Sequence, residues 1–373
     1  MRAFEAAEVL RLFEANLDAE GSGEVMASPD HATGPGGDYY YAWARDGALS
    51  MHAYLQTKGA GAEEKMGKWL SWVERSMNQP DPNDVDILVE PKYLIPQGTP
   101  YTGGWCRPQN DGPGLRAVAG KVWELVRRNL DWVAANHSSE TCDLWEEVRS
   151  SDFFWNRYTM RKALILGSKF AASAGKDEAR AAKYSTAAKE IEQQLGDHVD
   201  ASGYVFESTD RRKDTAVIEA FNVGDLEDGL FGPLSTPVVR TLATLSDLFC
   251  KSYAVNQQAA AAKTPGVLFG RYEGDSYDGG NPWGGSMDAD ANQVLHQLLG
   301  RDVTQQNLLG AGDASLQPPG KYLTNGMHMR RMRRSTAMAA CSLKSAKDLT
   351  WNYANGQRLS LRGATAAAEE TLI

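Results

Sequence analysis

The sequence predicts an all-α protein of paired helices joined by long, chemically loaded loops. Three observations carry this reading. Apolar residues recur at helical spacing over several separate stretches, and no β-branched run alternates over a useful length. The Gly/Pro-rich segments between the helical stretches hold aromatic and charged residues together. With 373 residues and 42% hydrophobic content, the chain can bury one large core or two ordinary ones.

Helix is predicted first over Ala3–Leu17, where Leu10, Phe13 and Leu17 share a face. Ala48, Met51 and Leu55 do the same in Gly47–Leu55, as do Met66, Trp69 and Val73 in Lys65–Met77. One long helix is predicted over Leu115–Ala135 from Val126, Leu130 and Val133, and another over Phe153–Ala174. Lys176–Asp197 reads as a helix with Glu and Lys on its exposed side, and Pro237–Ala261 repeats the pattern through Leu242, Leu245 and Phe249. Helical character resumes at Gln293–Leu299.

The connections carry the functional signal, because loops beyond about 12–15 residues in a compact domain are usually functional. Ser28–Asp46 holds Tyr39-Tyr-Tyr-Ala-Trp-Ala-Arg-Asp46, and Val89–Pro113 holds Tyr101-Thr-Gly-Gly-Trp-Cys-Arg-Pro-Gln-Asn-Asp111. Phe269–Trp283 holds Gly270-Arg-Tyr-Glu-Gly-Asp-Ser-Tyr-Asp-Gly-Gly-Asn-Pro-Trp283. Aromatic faces beside Arg/Asp pairs suit a polyhydroxylated ligand, since rings stack on C–H faces while charged groups bond neighbouring hydroxyls. A fourth segment, Cys142-Asp-Leu-Trp-Glu-Glu-Val148, packs Asp143, Glu146 and Glu147 around a tryptophan. Burial of a carboxyl against an indole favours its protonated form, which suits proton donation to a leaving oxygen. The alternative reading of this run is an amphipathic helix start with solvated acids.

Composition narrows the partners. A net charge of −9 and a pI near 5.3 argue against a nucleic-acid backbone. No run approaches the roughly 18–20 apolar residues of a membrane span, and the acids in Met1–Leu10 stand where a signal peptide needs an apolar stretch. The four cysteines lack CxxC spacing, so zinc is not indicated and at most one or two disulfides can form. No HExxH pair or P-loop is present, and neither a metal nor a nucleotide is expected. Asn136-His-Ser138 fits a glycosylation acceptor and points toward the secretory route.

In content, order and approximate spacing, these four segments resemble family 15 of the glycoside hydrolases, the glucoamylases, from about Leu12 to Tyr353. The resemblance implies an (α/α)6 toroid in one catalytic domain over 1–373, without a separate starch-binding domain. It implies an exo-acting, inverting hydrolase that releases β-glucose from the non-reducing ends of α-1,4 and α-1,6 glucans, including starch and maltooligosaccharides. Glu146 is then the general acid, with Glu147 and Asp143 as flanking carboxylates. Tyr39, Trp43, Arg45 and Asp46 correspond to residues around the terminal glucose, and Trp105 to a tryptophan that orients substrate. Arg107, Asp111 and Arg116 share that motif; Arg271 and Asp275 match sugar-contacting positions, and Trp283 closes their loop. No cofactor or metal is expected, nor any nucleic-acid or membrane partner, and a monomer is the default. Localisation is divided between the family's secretion and the signal peptide not seen in this chain.

The general base stays unassigned. The family supplies it as a Glu shortly before a signature matched here by Ser345-Ala-Lys-Asp-Leu-Thr-Trp351, yet no Asp or Glu stands between Asp313 and Asp348. Seven Lys or Arg residues occupy that interval, several within Gly326–Ser335. Asp288 and Asp290, after Trp283, are the nearest alternative carboxylates in sequence, and Asp348 reads as a helix cap. The segments 284–292 and 326–344 depart from the family pattern, which leaves the completeness of the toroid's last third open. A sequence error, a catalytically impaired carbohydrate-binding or regulatory protein, and recruitment of another base would each account for them.

Overall fold

The computed structural model describes residues 10–31, 39–262 and 267–283. Residues 10–15 are helical. They are followed by α1 (Ala44–Lys58), α2 (Glu63–Met77), α3 (Asp111–Ala119), α4 (Trp123–Asn136) and α5 (Phe154–Phe170). Then come α6 (Glu178–Leu195), α7 (Ala216–Gly224), α8 (Thr236–Ser252) and α9 (Ala254–Ala261). The two antiparallel sheets are pairs of two-residue strands: β1 (Ala42–Trp43) with β2 (Lys92–Tyr93), and β3 (Thr141–Cys142) with β4 (Arg149–Ser150).

Helices alternate between two environments. Helix α3 buries eight of its nine residues and α7 eight of nine, whereas α6 buries six of 18 and α8 five of 17. Elements buried all round belong inside, and elements with one apolar stripe belong outside. Contacts follow that division, because α1 packs on α3, α3 on α5 and α5 on α7 as an inner layer, while α4 and α6 pair with α3 and α5 from outside. Phe13, Trp69, Trp155, Tyr158, Tyr184 and Phe221 fill the core between the layers. Each fully buried side chain of this size stabilises the fold by about 1.5–3 kcal/mol or more.

Two predicted helices are broken in the structure. Leu115–Ala135 divides at Gly120, which turns extended (φ −69°, ψ 149°) and lies so close to Val126 and the Arg116 carbonyl that a Cβ would sit 2.8 and 3.0 Å from them. Pro237–Ala261 divides at Tyr253, also extended, where the Asn256 amide bridges the carbonyls of Phe249 and Leu268. Helix α7 has no counterpart among the predicted helices, for its run Ala216-Val-Ile-Glu-Ala-Phe221 has no exposed polar side to set a period. The helix predicted at Gln293–Leu299, Asp288, Asp290, Asp348 and the signature Ser345–Trp351 lie outside the described residues. Among the described residues, no helix is long and apolar enough to cross a membrane.

The inner helices place the loaded segments at their N-terminal ends. Trp43, Arg45 and Asp46 open α1, Asp111 opens α3, the β3–β4 hairpin precedes α5, and Arg211–Asp214 precedes α7. Helix N-termini carry partial positive charge, which favours the carboxylates gathered there.

Candidate active site

The three acidic residues stand in a hairpin, not at a helix start. Thr141 pairs with Ser150 and Cys142 with Arg149, leaving residues 143–148 as the loop. Asp143 is buried and closes that loop from within: its Oδ1 accepts from the N–H groups of Glu147 (2.7 Å) and Val148 (2.9 Å). Glu146 takes a left-handed backbone conformation, φ 65°, at the apex. Holding a non-glycine residue there costs on the order of 1–2 kcal/mol, which the surrounding contacts must outweigh.

Glu146 is gripped on one oxygen. Its Oε1 accepts from Arg45 Nη2 at 2.9 Å and from Gln109 Nε2 at 3.0 Å. Arg45, 5% exposed, also donates to Gln109 Oε1 (3.0 Å) and Asp111 Oδ2 (3.2 Å), and Trp155 Nε1 donates to the same Asp111 oxygen. Burial alone would lower the Arg45 pKa, but Asp111, Glu146 and Asp46 raise it above its ordinary value, so the guanidinium stays charged. Asp46 is pushed up to about 6, chiefly by burial; Arg45 opposes the rise while Glu146 and Asp111 reinforce it.

Glu147 is gripped on both oxygens. Arg271 reaches Oε1 at 2.9 Å, while the Tyr272 hydroxyl (2.6 Å) and Arg211 Nη2 (3.1 Å) donate to Oε2. Arg211 spans from there to Asp143 Oδ2 at 2.5 Å and stacks on the Tyr272 ring, 3.8 Å from its centre. Arg271 is set in turn by two bonds to Asp275, at 3.0 and 2.7 Å.

These groups border a cavity of about 530 Å³ lined by Tyr39, Trp43, Arg45, Asp46, Trp105, Trp145, Glu146, Glu147, Arg271, Tyr277 and Trp283, among others. One wall is aromatic. Trp43 meets Trp105 edge-on at 5.7 Å and stacks with Tyr39 at 6.1 Å, and Trp145 meets Trp283 edge-on at 6.1 Å. Behind that wall the buried Lys92 ammonium lies 4.1, 4.6, 4.4 and 3.7 Å from the ring centres of Tyr41, Trp43, Tyr101 and Trp105. Such cation–π contacts are worth about 0.5–2 kcal/mol each and fix the planes of the rings. Tyr39 and Tyr277 share a hydroxyl–hydroxyl bond of 2.8 Å; burial, then Tyr277, pushes the Tyr39 pKa well above its usual value, so the phenol stays protonated. A disulfide between Cys106 and Cys142 ties the Trp105 loop to the acidic hairpin.

The structure thus brings together Tyr39, Trp43, Arg45, Asp46, Trp105, Glu146, Glu147, Arg271 and Trp283 from segments far apart in sequence. Three other candidates stand behind the wall. Asp143 anchors the hairpin, Asp275 orients Arg271, and Arg107 holds the buried Glu90 (2.6 Å) and the carbonyls of Gly103 and Tyr101. Sequence reasoning did not single out Arg211, Lys92 or Asp214, which no motif marks. Gln109, Tyr272 and Tyr277 lie inside the aromatic- and charge-rich loops, where their place beside the Arg/Asp pairs is a usable signal.

The chain matches the glycosyl hydrolases family 15 over residues 13–350. It is 31% identical over 304 residues to Glucoamylase 1 of Rhizopus oryzae, an alignment covering 72% of this chain and 49% of that protein. It is 32% identical over 326 residues to Glucoamylase-1 of Schizophyllum commune, covering 77% of this chain and 55% of the relative. The chain therefore spans about half the length of these relatives. Among solved structures, the family 15 glucoamylase of Hypocrea jecorina superposes with a TM-score of 0.81 at 25% identity, covering 98% of this chain and 72% of that one. The Saccharomycopsis fibuligera glucoamylase superposes at 0.75 with 20% identity, covering 96% and 94%. The alternating helices belong to an (α/α)6 toroid, as the resemblance implies.

Proposed function

We propose that this chain, which belongs to family 15 of the glycosyl hydrolases, hydrolyses α-glucans from their non-reducing ends with Glu146 as the general acid. The observation that carries the reading is the setting of Glu146: it lines the cavity from a left-handed apex, and Arg45 and Gln109 both donate to Oε1. A proton on this carboxyl therefore belongs on Oε2. Arg45 and Asp46 hold the hydroxyls of the terminal sugar, Trp43, Trp105, Trp145 and Trp283 pack on its C–H faces, and Glu147 accepts from a hydroxyl of the next unit. Asp143, Arg107 and Asp275 keep those groups in place. A volume near 530 Å³ falls in the range of about 300–1,000 Å³ usual for small-molecule sites.

Inversion requires a base about 6.5–9.5 Å from the acid to activate water on the opposite sugar face. Among the described residues, the other carboxylates lining the cavity are Asp46, beside Arg45, and Glu147, held by Arg211, Arg271 and Tyr272. We assign the base to neither. The lack of any Asp or Glu between Asp313 and Asp348 supports a second reading, a carbohydrate-binding protein that has lost hydrolysis.

Glucose release from maltotetraose, with the product anomer followed, separates the two. Release of β-glucose by the chain and its loss in Glu146→Gln support the hydrolase. Sugar binding by a folded chain that releases no glucose supports the binder.

A further inference from the structure

We infer that Asp214 is a positioning residue for the acidic hairpin: from the edge of α7 it holds the Trp145 indole, next in sequence to the proposed acid, against the cavity. The inference deepens the proposed function and rests on it only for the role of Glu146. Asp214 is fully buried. Its Oδ1 accepts from Trp145 Nε1 and from Ala216 N, both at 2.8 Å. One oxygen thus caps the first turn of α7 and fixes the indole that lines the cavity and packs on Trp283. Without that acceptor, the indole N–H would be left buried and unsatisfied, and the ring could turn about its side-chain bonds.

The second oxygen makes this support responsive to charge. Asp214 Oδ2 has no hydrogen-bond partner and lies 4.0 Å from Arg211 Nη1, which gives its bond to Asp143. The groups facing Asp214 are Asp143 on the hairpin, Glu207 and Tyr204 on the preceding segment, Arg211 on its own, and Arg271 and Tyr272 on the loop bridged to it. Burial first, then Asp143, pushes Asp214 up to about 7 against the opposing effects of its hydrogen bonds and Arg211. Below that pH it is neutral and Arg211 serves Asp143 and Glu147 alone. Above it, a buried negative charge competes for the same guanidinium, so both Trp145 and Glu147 feel the change.

Asp214→Asn keeps a carbonyl oxygen for both donors and removes the charge. The near-UV circular dichroism of wild type should show an indole transition with a midpoint near pH 7. The transition should be absent from Asp214→Asn and from Trp145→Phe, which removes the indole together with the N–H that Asp214 accepts from. Asp46 titrates in all three proteins and cancels in the comparison, and Glu207→Gln separates the neighbouring buried Glu207 from Asp214. In hydrolysis, Asp214→Ala should lower kcat roughly tenfold with little change in KM, and Asn should recover it to within about threefold. An unchanged transition in Asp214→Asn, or equal kcat for Ala and Asn, overturns the inference. The dichroism needs no turnover, so it decides even if the chain releases no glucose.

Discussion

Replacing Arg45 by Met keeps most of the aliphatic stem and removes a guanidinium that touches both Asp111 and Glu146. Both carboxylates stay largely screened from water, and breaking a buried ion pair by removing one partner typically costs about 3–5 kcal/mol. Because Met recovers part of the apolar packing, we expect a loss of about 3 kcal/mol in urea unfolding at neutral pH, followed by the fluorescence of the tryptophans. A cycle with Glu146→Gln assigns the energy to the contact. In the Gln background, Arg45→Met strands two carboxylates, Asp111 and Asp46, instead of three, so its cost should fall by about 1–2 kcal/mol. Additivity within about 0.5 kcal/mol, or a single-mutant loss below about 1 kcal/mol, would refute the coupling drawn between Arg45 and the acid.

Gly23 has φ 91°, and a Cβ there would lie 2.2 Å from the Lys68 carbonyl oxygen on α2, so Gly23→Ala should cost about 2–3 kcal/mol. Gly21→Ala, at φ 76° with open space around it, should cost only about 1 kcal/mol, and equal melting shifts would contradict this account. His198 is buried neutral, with burial lowering its pKa to about 4 against an unfolded value near 6.5. Its contribution is present above pH 6.5 and declines as pH falls toward 4, because the unfolded state then binds the proton more tightly. Melting temperatures of His198→Gln across that window should fall less steeply with acid than those of wild type. The Cys106–Cys142 bridge spans 36 residues, for which chain entropy gives about 3–4 kcal/mol, and paired Ser substitutions should lower the urea midpoint accordingly.

The outer helices were legible because a stripe of core residues leaves a 3.6-residue period, as in Leu242, Leu245 and Phe249 on α8. Helix α7 was not, since burial on every side erases the period. The breaks at Gly120 and Tyr253 depend on tertiary contacts that no local pattern records. The cavity-lining aromatics and the acid hairpin were legible as composition, because aromatic and charged residues crowd into glycine-rich loops. The partners that fix them were not: Arg211 meets Asp143 across 68 residues, and Lys92 meets its rings only once β1 and β2 pair.

The acidic hairpin depends on cations delivered at different times during synthesis. Arg45 precedes Glu146 by 101 residues, whereas Arg211 follows Glu147 by 64. Arg271 arrives last. A nascent chain that has emerged only as far as α6 carries Asp143 and Glu147 with neither of their guanidinium partners, Arg211 and Arg271. The full set of contacts on the hairpin should therefore form late on the ribosome, only after residue 271 has cleared the exit tunnel.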